Sequence, residues 1–288
     1  MSVLQNKIDF EAIITVKDAN PNGDPLNGNI PRTIYEGFGE ISDVAIKRKI
    51  RNRLLDAGEP IFVQSDDKKV DEYTSLKKRA EASVEFGAEL GKGKKADIEK
   101  GYVAACREWT DVRTFGQVFA FKNSALSLGV RGPVSIHPVF SVDPISITST
   151  QITKSVNSEE TSGGKASDTM GMKHRVDFGV YILKGSINVQ LAEKTVFTEE
   201  DAEKIKEAIR TLFVNDSSSA RPDGSMTVDK LYWWRHNNKI GQYSSKVVHE
   251  SLTVKKKQGV SALPMSIDDY DIQLTSLDGL DVEVYEGL

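Results

Sequence analysis

Residues 43–56 hold five cations, Lys47, Arg48, Lys49, Arg51 and Arg53, against Asp43 and Asp56, a local charge of +3. In the stretch SDVAIKRKIRNRLLDAG, residues 42–58, helical spacing places Ile46, Ile50 and Leu54 on one buried stripe, with Ala57 nearby. Lys47 and Arg51 then share one flank, with Arg48 between them and the outer face, and Lys49 and Arg53 lie on the other. Few acids stand four residues away to pair these charges, so they are expected to be open to an outside partner. Such a surface suits a phosphate chain, held by charge and hydrogen bonds rather than by reading bases. Just upstream, KDANPNGDPLNGNIPRT, residues 17–33, has four Asn, three Pro, two Gly and two Asp and almost nothing apolar. Its amides suit sugar and phosphate contacts, and Gly23 and Gly28 permit close approach. The same residues equally suit a solvated basic helix beside an irregular surface loop.

Other chemistry finds less support. Asp18, Asp24 and Asp43 could gather a divalent metal for phosphodiester cleavage, but Asp at turns and caps is accounted for by local hydrogen bonding. His137, His174, His236 and His249 have no metal-ligand spacing. Neither a Gly-x-Ser-x-Gly elbow nor a Cys–His signal is present. The stretch GAELGKGKK, residues 87–95, has the wrong glycine spacing for a phosphate loop and lacks its Ser or Thr. In RTFGQVFAF, residues 113–121, the aromatic positions do not align with an RNA-recognition strand, and core packing accounts for Phe115, Phe119 and Phe121.

The elements that must position these residues follow from periodicity. Ile8, Phe10, Ala12, Ile14 and Val16 alternate with Glu11, Thr15 and Lys17, predicting a half-buried strand. A helix capped by Ser42 or Asp43 runs to about Asp56, stopped by Gly58 and Pro60. Residues 64–108 are charged and helical, and read as an insertion. Strand-like sequence returns from about Thr114 to Thr153. A Gly/Ser-rich stretch, residues 155–171, precedes a strand that starts near His174 and runs through Val176, Phe178, Val180 and Ile182. That strand is expected to continue past a bulge at Gly185 through Ile187, Val189 and Leu191. Thr198 caps a helix with Ala202, Ile205, Ile209 and Leu212 on its buried stripe. A turn-rich NDSSSARPDGS, residues 215–225, leads into KLYWWRH, where Trp233 and Trp234 alternate, one facing the core and one left for stacking or a subunit contact. A last strand is expected around residues 243–254. This order predicts an α+β fold on a β-α-β-β-α-β, ferredoxin-like plan.

Composition agrees with a globular chain of 288 residues, 39% hydrophobic and 28% charged. No apolar run approaches a membrane span and no signal-peptide core is seen, so no membrane partner is expected. The single Cys106 cannot form an intrachain disulfide, which favours a cytoplasmic location. Net charge is −4, but residues 267–288 carry seven acids and no Lys or Arg, leaving +3 on residues 1–266.

ANPNGDP after the first strand, PRT at Pro31 to Thr33 and SDVAIKRKIRN together resemble the start of the CRISPR-associated Cascade backbone subunits, the Cas-seven family, most closely its subtype I-C branch. DVRTFGQVF (residues 111–119), RGPVSIHPV (131–139) and SSSARPDGS (217–225) extend the resemblance over nearly the whole chain.

The resemblance implies an RNA-recognition-motif-like (RRM-like) palm, its first half in residues 1–63, with a helical insertion over 64–108 and further palm strands over 109–146. A projecting β-hairpin, the thumb, would span residues 147–177, and residues 178–288 would complete the palm and the acidic C-terminal end. It implies no enzyme activity and no cofactor or metal, but a scaffold polymerising head to tail along a CRISPR guide RNA. The implied partners are that RNA, target DNA through the guide, further copies of itself, the guide-processing, large and small Cascade subunits and, indirectly, an effector nuclease-helicase. A sequence-independent scaffold leaves reading to base pairing. RNA contacts are expected from Asn20, Asn22 and Arg32 in the loop, from Lys47, Arg48 and Arg51 on the helix, and from His174, Arg175 and Arg221. Met170 and Met172 would wedge at a displaced base, although hairpin packing accounts for them equally well. The alternative is a metal-dependent ribonuclease of a CRISPR effector that uses Asp18 and Asp24.

Overall fold

The computed structural model describes residues 2–122, 124, 126–153, 170–260 and 263–288. Its main sheet is built on two long antiparallel strands, β1 (Ile8–Ala19) and a later strand of eighteen residues, Met170–Ile187. Between them in sequence come β2 (Phe38–Ile41), α1 (Asp43–Asp56), helices α2 (Leu76–Ala82), α3 (Val84–Gly91), α4 (Ile98–Glu108) and α5 (Thr110–Phe115), and strands β3 (Gly116–Ala120), β4 (Ser127–Arg131), β5 (Val134–Ile136), β6 (Val139–Pro144) and β7 (Ile147–Thr153). Met170–Ile187 is then β8, followed by α6 (Val189–Thr195), α7 (Glu199–Arg210), β9 (Met226–Arg235), α8 (Ser245–Ser251), β10 (Leu252–Lys256), β11 (Tyr270–Leu274) and β12 (Val282–Glu286).

The sheet runs β12-β9-β1-β8-β6-β2, with β5 and β7 also pairing along β8, and every pair is antiparallel. Helices α1 and α7 cover one face. There Ile8, Phe10, Ala12, Ile14 and Val16 meet Ile46, Ile50, Ile205 and Ile209 in the principal core. The other face is covered in part by α8 and the β10–β11 hairpin, whose Val248, Leu252 and Tyr270 pack on Ile13, Val180 and Trp234. The first strand is therefore buried on both faces for most of its length, and Glu11, expected on a solvent face, has no exposed surface. Both tryptophans of KLYWWRH are buried as well, Trp233 in the principal core and Trp234 under the β10–β11 cover.

Three further expectations are corrected. At Gly185 no bulge forms: the strand keeps unbroken register with β1, and glycine stands there because the ring of Phe10 occupies the space a side chain would need. The strand ends at Ile187, since Asn188 accepts from the Leu191 N–H and starts α6. Residues 245–251 form α8, capped by Ser244, and only then does β10 begin.

A second core gathers Phe62, Phe86, Trp109 and Phe119 with Ala105 and Cys106. Their rings pack tightly, Phe62 on Trp109 and Phe86 on Phe119 both at 4.6 Å between centroids. Helices α2 to α5 and the β3–β4 hairpin all contribute to the helical unit built around this core. Burial pushes the Cys106 thiol up to about 12, leaving it an inert filler. Among the described residues no helix is long and apolar enough to cross a membrane.

Burial raises the Glu11 carboxyl from an ordinary 4.5 to about 7, partly offset by Lys184 at 3.1 Å. Its raised folded-state pKa favours folding while the group is protonated, and that contribution is lost as pH rises from about 4.5 through about 7. Urea titrations of Glu11→Gln should show a smaller fall in stability across that interval than the parent, by roughly 2–3 kcal/mol. Parallel pH profiles for the two proteins would contradict this assignment.

Candidate nucleic-acid interface

The polar loop after β1 is stapled to its surroundings by its own asparagines. Asn20, nearly fully buried, donates from Nδ2 to the carbonyl of Asn29 at 2.7 Å, and its backbone N–H reaches Ala220 O at 2.8 Å. Asn22 Oδ1 accepts from both the backbone N–H and the hydroxyl of Ser42, each at 2.9 Å. Ser42 is the N-cap of α1, so the loop and the basic helix start from one hydrogen-bonded junction. Gly23, expected to leave room for a ligand, instead makes room for Asn29, whose Oδ1 lies 2.1 Å from an ideal Cβ. Arg32 faces Asp24 at 3.5 Å.

The cations of α1 are not left unpaired, contrary to the reading from sequence. Charges with no partner four residues away along the helix find partners from distant segments. Arg51 donates from Nε to Asp111 Oδ2 at 2.9 Å and lies over the Phe115 ring, tying the helix to the helical unit. The fully buried Asp111 also accepts from the backbone N–H groups of Phe62 and Val63, at 2.7 and 3.1 Å. Lys47 pairs with Asp43 at 2.8 Å, and Arg53 pairs with Asp56 at 2.9 Å and reaches Thr211. Lys49, read only as a flank residue, is buried over the Phe213 ring with its ammonium on Asp216. Burial lowers its pKa and Asp216 counteracts the shift. Arg48 donates to Val63 O at 2.8 Å, and burial, with Arg51 nearby, lowers its pKa.

Four distant segments converge on a groove of about 390 Å³. The loop supplies Asn22, Gly23 and Asn29, and α1 supplies Ala45, Arg48, Lys49 and Asn52. The turn after the helical unit's entry supplies Ser65, Asp67 and Lys68, and the turn before β9 supplies Asn215, Asp216, Ser217, Ser218 and Arg221. Arg221 shares the Asp216 carboxylate with Lys49, at 3.2 Å, and Lys68 donates to Asn215 O at 2.6 Å. Four cations thus face two carboxylates among many neutral amides and hydroxyls. Of the expected contacts the groove unites Asn22, Arg48 and Arg221. Asn20 lies behind it, and Lys47 and Arg51 are not among its lining residues. Lys68, Asn52 and Asp216 were missed. For Lys49, the position three residues after Ile46, beside the apolar stripe on the helical wheel, was the available signal of burial.

His174 and Arg175 stand at a different place, the foot of the β7–β8 hairpin. Ala19 of β1 pairs with Val176, so this foot adjoins the start of the polar loop. His174 Nδ1 is hydrogen-bonded to Ser149 Oγ at 2.8 Å, and Arg175 bridges Asp18 at 3.2 Å and Asp177 at 3.7 Å. From Met170 to Lys173 and from Ser149 to Thr153 the two strands are exposed on both faces, including Met170 and Met172. The Gly/Ser-rich tip of this hairpin, residues 154–169, lies outside the described residues. Asp18 and Asp24, the acids of the ribonuclease alternative, each face an arginine. Among the described residues no three His, Cys, Asp or Glu side chains converge on a common point.

A family model described as CRISPR-associated protein Cas7 matches residues 6–275, which include all four groove segments. The chain belongs to the Cas7 family. A curated Cas7 protein of Haloferax volcanii is 28% identical over 222 residues, covering 69% of this chain. This Cas7 chain aligns with 62% of that relative's length, less than two thirds of it. Among solved structures, a chain of a CRISPR RNA-guided surveillance complex, pre-nicking, superposes over 83% of both chains with a TM-score of 0.50 at 17% identity. A chain of another CRISPR RNA-guided surveillance complex covers 79% of this chain and 68% of its own, with a TM-score of 0.43 at 18% identity. The first of these likenesses establishes the fold, a mixed α/β architecture with a mainly antiparallel sheet.

Removing one partner of a buried ion pair leaves the other charge uncompensated. Asp216→Ala should therefore lower the unfolding free energy by about 3 kcal/mol in chemical denaturation. A loss within about 0.5 kcal/mol, the range of an ordinary surface substitution, would show that Lys49 does not depend on this carboxylate.

Proposed function

We propose that this Cas7 protein is a non-catalytic guide-RNA scaffold of a type I, subtype I-C-like, Cascade surveillance complex, and that the groove between the polar loop and α1 holds the RNA backbone. The observation that carries this reading is the convergence of ANPNGD, the basic helix and SSSARPDG on one polar groove with an excess of cations. A single strand laid there meets Arg48, Lys68 and Arg221 as phosphate partners and the loop amides as sugar partners. None of these contacts depends on base identity, which suits a scaffold that must accept any guide. The sheet order β9-β1-β8 followed by β5 and β6, with α1 and α7 on one face, supports a ferredoxin-like palm. The β7–β8 hairpin is the thumb of this reading, with Met170 and Met172 on its exposed stem and Arg175 at its foot. Copies add head to tail along the RNA, an arrangement that needs two different faces per subunit. Guide RNA pairs with target DNA, and sister Cascade subunits close the ends of the assembly.

Binding of single-stranded RNA should weaken steeply with salt and be insensitive to sequence. Replacing Lys68 and Arg221 by Ala should reduce the slope of log affinity against log salt concentration by roughly 1–1.5, since each phosphate contact on a single strand contributes about 0.7. Fluorescence anisotropy across a salt series measures this directly. An unchanged slope in the double variant would remove these two cations from the interface.

A further inference from the structure

Along α1 the residues that line the groove, Ala45, Arg48, Lys49 and Asn52, recur at helical spacing and form one stripe. Every cation of the groove already has an internal oxygen partner. Arg48 holds Val63 O, Lys49 and Arg221 share Asp216, and Lys68 holds Asn215 O. The half-buried Asn52, by contrast, makes no side-chain hydrogen bond to any described residue. Asn22, also on the groove, directs its Oδ1 to Ser42 and leaves its amide NH2 without a partner among the described residues. The neutral hydrogen-bonding capacity left over at this site therefore includes two primary amides beside a set of cations.

The chemistry of the three parts of a nucleotide separates what such amides can recognise. A phosphate offers acceptors and charge, which the cations match better than an amide does. Base edges change from one nucleotide to the next. A ribose 2′-hydroxyl recurs at every position and both donates and accepts, which is what a primary amide offers in return. Deoxyribose has nothing at that position.

We propose that Asn52, with the free amide NH2 of Asn22 beside it, makes the groove selective for ribose over deoxyribose strands by hydrogen bonding the 2′-hydroxyl. This rests on the reading of the groove as an RNA-backbone site and names the group that would let it refuse DNA of the same sequence. Lys68 and Arg221 then set how tightly any strand is held, while Asn52 sets the ratio between RNA and DNA.

The test compares the full chain with Asn52→Ala, using labelled single-stranded RNA and DNA of one sequence and the same RNA carrying 2′-fluoro groups. The fluoro strand keeps an RNA-like sugar but cannot donate. The parent should bind RNA more tightly than both other strands. Asn52→Ala should lose roughly three- to tenfold in RNA affinity, the value of one net hydrogen bond, and leave DNA affinity unchanged. Equal affinity of the parent for RNA and 2′-fluoro RNA would overturn the proposal without any variant, and so would an equal loss for RNA and DNA in Asn52→Ala. Failure of the parent to bind any strand would instead overturn the reading of the groove itself, and the proposal with it.

Discussion

Lys49 sits on a helix whose other cations keep some contact with water, yet its own ammonium is taken out of solvent. What compensates this is the carboxylate of Asp216, which arrives from a turn more than 160 residues later in the chain and also receives Arg221. A buried lysine without such a partner would give up its proton or leave the core. The pair therefore obliges the turn before β9 to lie against α1. Asn20, bonded to Ala220 O from the other side, closes the same arrangement on the polar loop. The groove exists because these long-range polar contacts hold three separate segments to one helix.

The same helix is anchored on its other flank by Arg51 and the buried Asp111, whose second role is to accept the backbone N–H groups of Phe62 and Val63. Arg113 makes a two-point contact with Asp201 on α7, at 2.8 and 3.0 Å, fixing the helical unit to the sheet-covering layer. One helix thus serves as floor of the groove, cover of the principal core and mooring of the second core. Much of its positive charge is structural.

Elements with a strong local period were legible in the sequence. The alternation of Ile8 to Val16 marked β1, Ser42 and Thr198 marked helix starts, and the stripe of α7 was clear. Glu11 was misplaced because alternation shows two faces of a strand but not whether a distant cover, here α8 and β10–β11, shields the second. Gly185 looked like a bulge because only the pairing with Phe10 reveals why no side chain fits there. For the groove, residue types pointed to three of its four segments, and Asn22, Arg48 and Arg221 do meet there, while residues 65–68 carried no signal. Arg51 and Asn20 were read as outward because their partners, Asp111 and Asn29 with Ala220, lie where local spacing carries no information. Asn52 went unremarked since one amide among five cations has no pattern of its own.

The central claim is that an RNA strand lies in the groove between the polar loop, α1 and the turn before β9. The most direct measurement is photo-crosslinking of 4-thiouridine RNA to the protein, with the crosslinked peptides mapped by mass spectrometry. Crosslinks concentrated in residues 20–32, 45–52, 65–68 and 215–221 are the result the account predicts. Crosslinks confined to the helical unit or to the acidic residues 267–288, with these four segments untouched, would contradict it.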